Sequence, residues 1–419
     1  MRPKLSHAAA MAAATSIAMT LTPLPAVALP SFSRQTGLAC NSCHAPAFPT
    51  LNAFGRLFKL NGYTLTGAQA KIEDKTLSLP AILNASIFTK IRVRKSNGTD
   101  ADGERTTNSG LLEFPDELAA LFAGRVHENV GFLLEMQIPK RDESALAAFK
   151  MPFSYSVGGA RASFIPFTTD GLGAAFGFES MNTGAVENIR LIEDASSSSA
   201  QQYIGTATPA SGAALVIGTQ HLVANITRWS PVHLASTEGR ASPLPSANYA
   251  RVAWMPTIGA WELGIGGQHW FGTASVADGT SESAVVDART RAWAVDAEAQ
   301  GRLGVVPVGM FATLASADAS LPGATPNVFN AASRARRALA VAGRVGIVPD
   351  HVALLLAYRH GHNGAALDHQ DRAATVGGQV LMYQNVQLQV NYTMFSGSAY
   401  TVKPRDGTRM LTVVLAAGF

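Results

Sequence analysis

The stretch NVQLQVNYTMF, Asn385 to Phe395, alternates strictly between apolar and polar side chains. The apolar positions are Val386, Leu388, Val390, Tyr392 and Met394, and the polar positions between them are Gln387, Gln389, Asn391 and Thr393. Successive side chains of a β-strand point to opposite faces, so this period of two predicts a strand with one apolar and one polar face.

The same alternation recurs from residue 79 to the end of the chain, for example in WAVDAEAQGRL (Trp293 to Leu303) and LTVVLAAGF (Leu411 to Phe419). It fits either an antiparallel sheet that packs on a core or a barrel with lipid outside and water inside. The strands are long, and charges such as Asp296 and Arg344 fall on the polar face, where a lumen tolerates them. These features favour the membrane barrel.

Strand number follows from length. Tight turns near 255–259, 348–351 and 382–385 alternate with long polar connections near 272–288, 316–333, 361–371 and 397–407. At roughly 21 residues per strand and connection, residues 79–419 predict an all-β membrane protein, an antiparallel outer-membrane β-barrel of about 16 strands, with about 14 as the next choice. The final strand, which ends on Phe419, resembles the C-terminal signal of bacterial outer-membrane barrels. Between 181 and 246 the alternation gives no clear register.

The N-terminus predicts export. Arg2 and Lys4 precede an apolar run, and Ala26-Val27-Ala28 supplies a small-x-small cleavage site, so residues 1–28 are interpreted as a signal peptide cleaved near Ala28. The net charge of +4 and the absence of a basic run with interleaved aromatic residues argue against a nucleic-acid partner. We therefore expect a bacterial outer-membrane protein in contact with outer-membrane lipid.

The only two cysteines lie in GLACNSCHAP, Gly37 to Pro46, as a Cys-x-x-Cys-His motif. This motif attaches c-type haem, with Cys40 and Cys43 as thioether positions and His44 as axial iron ligand. A redox dithiol, a disulfide and half of a zinc site are the alternatives. The expected βαβ context of a dithiol is missing, a disulfide leaves His44 unexplained, and no further zinc ligands lie nearby. The motif predicts one covalently attached haem c.

Residues 29–78 are expected to form a small helical monohaem cytochrome c module. After His44, the apolar residues Leu51, Phe54, Leu57 and Phe58 recur at helical spacing, which suits a helix that covers a haem face. Arg34 and Lys59 could pair with haem propionates, although solvent-facing side chains are equally consistent with the sequence. The sixth iron ligand has three formal candidates further along the chain, namely His127, Met136 and Met151.

A histidine-rich loop is a second candidate metal site. RHGHNGAALDHQD, Arg359 to Asp371, groups imidazoles and carboxylates in a predicted extracellular loop: His360, His362, Asp368, His369 and Asp371. Such ligands suit a transition metal, but solvated loops are rich in the same residues.

The N-terminal region resembles the fused monohaem cytochrome–porin family of outer-membrane iron oxidases. The resemblance rests on PSFSRQTGLACNSCH (Pro30 to His44), Pro49, Leu51, FGRLFKLNGY (Phe54 to Tyr63) and the terminal Phe419. It implies haem surroundings formed by Arg34, Gln35, Pro49, Phe54, Phe58, Lys59 and Tyr63.

The resemblance also implies a function. The cytochrome module would act as plug or mouth domain of the barrel, and the protein would be an oxidoreductase that takes electrons from extracellular Fe(II) or another donor. A periplasmic cytochrome or copper protein would be the acceptor. The alternative is an outer-membrane porin in which the haem module is a plug or a redox-sensing gate for solutes.

Overall fold

The structure is a computed structural model of the 419-residue chain. It describes residues 30–44, 49–67, 69–98, 107–137, 145–186, 199–233, 244–277, 285–349, 351–401 and 407–419. The signal peptide predicted over residues 1–28 lies outside the described residues. Within the described part of the chain, no helix is long and apolar enough to cross a membrane.

Sixteen antiparallel strands close into a barrel, as the sequence predicts. Each strand pairs with its neighbour in the chain, and the last strand pairs with the first. The strands are β1 Ala85–Ser96, β2 Leu111–His127, β3 Val130–Gln137, β4 Leu146–Lys150 with Phe153–Val157, β5 Ala160–Thr169, β6 Ala210–Gly218, β7 Leu222–Ser230, β8 Ala247–Trp254 with Thr257–Ile258, β9 Trp261–Phe271, β10 Ala292–Leu303, β11 Val306–Ala317, β12 Arg336–Val348, β13 Val352–His362, β14 Gln370–Tyr383, β15 Val386–Ser396 and β16 Arg409–Gly418. Closure leaves no unpaired sheet edge in the lipid.

Polar faces turn inward and apolar faces turn outward. In β15, Gln389 is 1% exposed, whereas the adjacent Val390 is 42% exposed. The same order holds in β10, where Asp296 and Glu298 are buried and Trp293 and Val295 are exposed. This is the reverse of a soluble sheet, and it is the arrangement of a barrel whose outer surface contacts hydrocarbon.

Short turns lie at one end of the barrel and long connections at the other. The turns include 128–129, 158–159, 304–305 and 384–385, and the long connections include 97–110, 170–209 and 397–408. In barrels of this class the short turns face the periplasm and the long loops face the cell exterior. The chain terminus lies at the periplasmic end, where Phe419 and Ile87 exchange two backbone hydrogen bonds of 2.7 and 2.9 Å.

Residues 30–80, here called the N-terminal module, fill the periplasmic end of the lumen. The module contains helices α1 Pro30–Thr36, α2 Cys40–Cys43 and α3 Ala53–Leu60, followed by a hairpin of Lys71–Glu73 and Ser78–Pro80. It packs closely on the wall: a Cβ added at Gly131 of β3 would lie 1.9 Å from the carbonyl oxygen of Gly62. Only glycine therefore permits this approach.

The connection between β5 and β6, residues 170–209, is here called the inward loop; its described residues, 170–186 and 199–209, fold into the lumen from the extracellular side. It contains a short 3₁₀ turn at Ala174–Phe176 and helix α4 Ala200–Tyr203. Most of its buried apolar residues form one cluster with aromatic residues of the wall and of the β11–β12 connection, among them Trp229, Trp270 and Phe329. Phe178 and Met181 belong to a second buried cluster, which includes Leu60 of α3. The remaining short elements are a 3₁₀ turn at Thr107–Ser109, a hairpin of Thr273–Ala277 and Val285–Arg289, and helix α5 Ser398–Thr401.

Candidate cofactor-binding site

The Cys-x-x-Cys-His motif forms one helical turn. Helix α2 spans Cys40 to Cys43, and the backbone N–H of His44 donates to the carbonyl of Cys40 at 2.9 Å. Residues three apart in a helix lie on the same side, so the two thiols share a face. Burial raises the pKa of the Cys43 thiol.

The imidazole of His44 is oriented by the backbone. Its Nδ1 lies 3.2 Å from the carbonyl oxygens of both Pro49 and Thr50. Carbonyls only accept hydrogen bonds, so Nδ1 carries the proton and the lone pair belongs to Nε2. A histidine that ligates a metal through one nitrogen commonly donates from the other, and the arrangement at His44 fits an axial ligand.

Helix α3 packs directly against this turn. Asn52 caps the helix by accepting from the N–H of Gly55 at 2.9 Å, and its side-chain amide donates to the carbonyl of Ser42 at 3.0 Å. A Cβ at Gly55 would lie 2.7 Å from the carbonyl oxygen of Cys43. The sequence after the motif thus folds back over it.

Aromatic rings line the module beside the motif. Phe32 stacks on Tyr63 and meets Phe58 edge to face, both with ring centroids 5.1 Å apart, and Phe58 lies 5.8 Å from Tyr63. These three rings form a rigid apolar wall.

A pocket of about 270 Å³, partly open to solvent, lies between the module, the barrel wall and the inward loop. Its lining is mostly apolar, with a few charged groups, as is common in cofactor sites. The module contributes Phe32, Ser33, Thr36, Leu38, Ala39, Cys40, Cys43, His44, Leu51, Phe54, Gly55, Phe58, Lys59 and Tyr63. The wall and the inward loop contribute Leu121, Leu133, Glu135, Lys150, Leu172, Phe176 and Val186.

The structure gathers most of the predicted haem surroundings around this pocket. The motif residues lie there together with Phe54, Phe58, Lys59 and Tyr63. Three others lie outside the lining. Arg34 is exposed and donates to the carbonyl of Ala85. Gln35 of α1 is buried against β2, where it accepts from the N–H of Arg125. Pro49 contacts the site only through its carbonyl oxygen, which lies near Nδ1 of His44.

None of the three predicted sixth-ligand residues reaches the lining. His127 pairs with Val130 at a periplasmic turn, and Met151 lies between the two halves of β4. Met136 is 40% exposed on the outer face of β3, because Glu135 beside it faces the lumen. Among the described lining residues, His44 is the only histidine, and none is methionine.

Sequence reasoning missed the half of the pocket supplied by the wall and the inward loop. Lys150 is 5% exposed, its Nζ donates to the carbonyl of Phe176 at 2.9 Å, and the same nitrogen lies 4.1 Å from the Phe176 ring centroid. Nothing in the local sequence LAAFKMPF distinguishes Lys150 from any other lumen cation.

The module is tied to the rest of the lumen by polar contacts. Arg56 contacts Glu262 at 2.8 Å and Glu298 at 3.4 Å. Asn182 of the inward loop exchanges two hydrogen bonds with the backbone of Leu51, at 2.8 and 3.0 Å, and its own N–H donates to Glu298 at 2.6 Å. The module, the inward loop and β10 therefore meet at one buried junction.

The histidine-rich loop is less well arranged for a metal. The rings of His362 and His369 stack with centroids 4.6 Å apart, while Asp371 accepts from Arg359 at 2.6 Å and from Tyr400 at 2.8 Å. Within the described residues, no group of three or more histidine, cysteine or acidic side chains is placed to hold a metal ion.

The closed barrel and the module inside its lumen define the class of protein. The chain is a bacterial outer-membrane protein, a 16-stranded β-barrel whose lumen encloses an N-terminal module. No family model matches the chain, and no curated protein matches it in sequence.

Among solved structures, the chain is similar to the outer membrane channel DcaP of Acinetobacter baumannii, with 13% identity, coverage of 84% of this chain and 100% of that chain, and a TM-score of 0.50. It is also similar to a loop L8 deletion mutant of OmpT, an outer membrane protein of Vibrio cholerae, with 12% identity, coverage of 81% and 99%, and a TM-score of 0.49. At these identities the likeness concerns the fold.

Proposed function

We propose that the N-terminal module binds one haem c inside the barrel and that the protein transfers electrons across the outer membrane. The observation that carries this proposal is the mostly apolar pocket whose lining includes Cys40, Cys43 and His44 together. The resemblance to fused monohaem cytochrome–porins, which concerns the N-terminal sequence, supports the same assignment.

The residues at the pocket have distinct roles in this proposal. Cys40 and Cys43 would hold the haem by thioether bonds, and His44 would ligate iron through Nε2. Lys59 and Lys150 are the cationic side chains of the lining, and they would hold the propionates. The haem iron supplies one-electron chemistry, while the aromatic wall excludes water and lowers the local dielectric.

We propose extracellular Fe(II) as the donor, with a periplasmic cytochrome or copper protein as the acceptor. Fe(II) would give up one electron and become Fe(III), and the acceptor would take up that electron; the haem held by Cys40, Cys43 and His44 would supply the one-electron chemistry between them. Ferric iron is poorly soluble near neutral pH, so oxidation on the outer side keeps the product out of the periplasm. The barrel wall keeps the redox centre within an otherwise insulating membrane.

A second candidate is solute passage, with the module and the inward loop as a gate. The fold likeness to an outer membrane channel favours it. The buried junction of Arg56, Asn182 and Glu298 supports electron transfer, because it ties the module to the inward loop and to β10, as a redox module held in place inside the barrel requires.

The test is an anaerobic visible spectrum of oxidised outer membranes that contain the protein, recorded before and after addition of Fe(II). Cys40→Ala removes a proposed attachment point, and Asn41→Ala, an exposed neighbour, is the matched control. Sharp ferrous haem c bands that appear in the wild type and in Asn41→Ala but not in Cys40→Ala would support the proposal.

Two results would separate the alternatives. Absence of any haem band in the wild type would overturn the cofactor assignment. A haem that dithionite reduces and Fe(II) does not would overturn Fe(II) as donor, and single-channel conductance that changes with haem redox state would then favour the gated pore.

A further inference from the structure

The outer, lipid-facing surface of strands β12 to β14 changes character at its extracellular end. Every outward position of β12 from Leu339 to Ile347 holds valine, leucine, isoleucine or glycine. These positions cover about 27 Å along the strand. Allowing for the tilt of the strands, this stretch covers most of the apolar band of such a barrel, which is about 25 Å tall. The next outward residue toward the exterior is Arg337, which is exposed and therefore lies at the level of the lipid headgroups.

Four basic side chains adjoin at this level and are here called the outer-rim patch: Arg337, His360, His362 and Arg372. Arg337 is opposite His362 across β12 and β13, and His360 is opposite Arg372 across β13 and β14. Opposed residues have Cβ atoms about 4.5–5.5 Å apart. The ring centroids of His360 and His362 are 6.4 Å apart, and the ring of His369 stacks on His362 at 4.6 Å. The patch is therefore one compact basic surface.

No carboxylate of the described residues neutralises this patch. Neither arginine of the patch forms an ion pair in the described part of the chain. Arg372 donates to the amide oxygen of Gln370 at 3.2 Å, and its Nε is buried without a partner. The adjacent Asp371 is bound by Arg359 and Tyr400. Like charges on neighbouring strands are unfavourable, so an external anion would stabilise the patch.

An apolar groove on the outer wall lies next to the patch, on the side of the membrane centre. It is deepest at Gly343, which is opposite Met310 on one neighbouring strand and Leu356 on the other. Tyr358 and Ala374 also line the groove, and each lies two positions from a patch residue on its own strand, so groove and patch are continuous. Because this surface faces hydrocarbon, the occupant that suits the groove is an acyl chain.

We propose that the outer-rim patch and the groove together bind one molecule of lipid A, the phosphorylated and acylated glycolipid of the outer leaflet. Arg337 and Arg372 would bind its phosphate, because the planar guanidinium matches phosphate oxygens. An acyl chain would occupy the groove beside Gly343. The site lies on the outside of the barrel, and this inference does not depend on haem or on electron transfer.

The experiment measures binding of purified bisphosphorylated lipid A to the full chain in detergent, with EDTA present so that no divalent cation bridges phosphate and imidazole. Arg337→Gln combined with Arg372→Gln should weaken binding at least tenfold. The corresponding double lysine variant keeps both charges and should stay within threefold of the wild type. Arg302→Gln, which removes an exposed arginine at the periplasmic end of β10, is the matched control and should bind like the wild type. Heat-modifiable mobility checks that each variant forms the barrel.

Several results would overturn the lipid A site. They are equal affinity of the wild type and the double glutamine variant, equal affinity for lipid A stripped of its phosphates, and loss of binding in EDTA, which would indicate a metal bridge at the histidines. Complete displacement by excess inorganic phosphate would show a site for the free anion and not for the lipid. Cys40→Ala should bind lipid A like the wild type, so failure of the proposed haem function would leave these results unchanged.

Discussion

Replacement of Arg56 tests whether the N-terminal module is docked by its buried ion pairs. Arg56 is 5% exposed, and its partner Glu298 has a side chain that is 2% exposed, so Arg56→Met leaves a carboxylate in the lumen without its cation. Removal of one partner of a buried pair costs about 3–5 kcal/mol. Even the lower figure raises the undocked fraction of the module by a factor of about 150.

The assay is hydrogen exchange of the α3 amides, read by mass spectrometry on holoprotein in detergent. An isolated helix of eight residues is marginal in water, so exchange of Ala53–Leu60 reports undocking. We expect protection to fall by about two orders of magnitude in Arg56→Met. Lys75→Met, which removes an exposed cation from the hairpin of the same module, should leave it unchanged.

A double-mutant cycle with Glu298→Gln identifies the partner. The amide keeps an acceptor for the N–H of Asn182 while it removes the charge, so the two changes together should cost less than their sum. Equal exchange in Arg56→Met and Lys75→Met would refute the docking role, and strict additivity would refute the Arg56–Glu298 pair.

Three further outcomes follow from the described contacts. Imidazole or cyanide should bind the ferric holoprotein and shift its Soret band. The described pocket lining contains no methionine and no histidine other than His44, so neither residue type is there to fill the sixth iron position. A spectrum that neither ligand changes would contradict this. Gln35→Leu should destabilise the module by about 2–4 kcal/mol, because Gln35 donates to the carbonyls of Tyr63 and Leu65 at 2.7 Å each and accepts from the N–H of Arg125 at 2.8 Å. Exchange of the α1 amides measures the loss, and wild-type protection would argue against it. Deletion of Phe419, which removes its two backbone bonds to Ile87, should lower the fraction of heat-modifiable barrel in outer membranes, and unchanged assembly would contradict that role.

The barrel was predictable because its signature is local. A strand such as Val386–Ser396 places alternate side chains on opposite faces whatever its neighbours are, so the outward Val390 and inward Gln389 can be read from spacing. The helical pattern after His44 is equally local: α3 contains Phe54, Leu57 and Phe58, whereas Leu51 precedes its N-cap Asn52.

The inward loop was not predictable in this way. Residues 181–209 of this loop lie in the stretch for which the sequence gave no register; Asn182, for example, is placed by contacts to Leu51 and Glu298, which are more than a hundred residues away. The loop is held by the lumen around it, and its own sequence has no period that reports this.

The sequence by itself therefore determined the kind of wall, the strand number and the motif at Cys40, Cys43 and His44. Only the tertiary structure decided what faces that motif: closure of the barrel brings Glu135, Lys150 and Phe176 to the pocket and turns Met136 toward the lipid. The physical reason is the separation along the chain of the residues that interact. Alternation depends on adjacent residues, whereas a site inside a closed barrel depends on which distant strands and loops share the lumen.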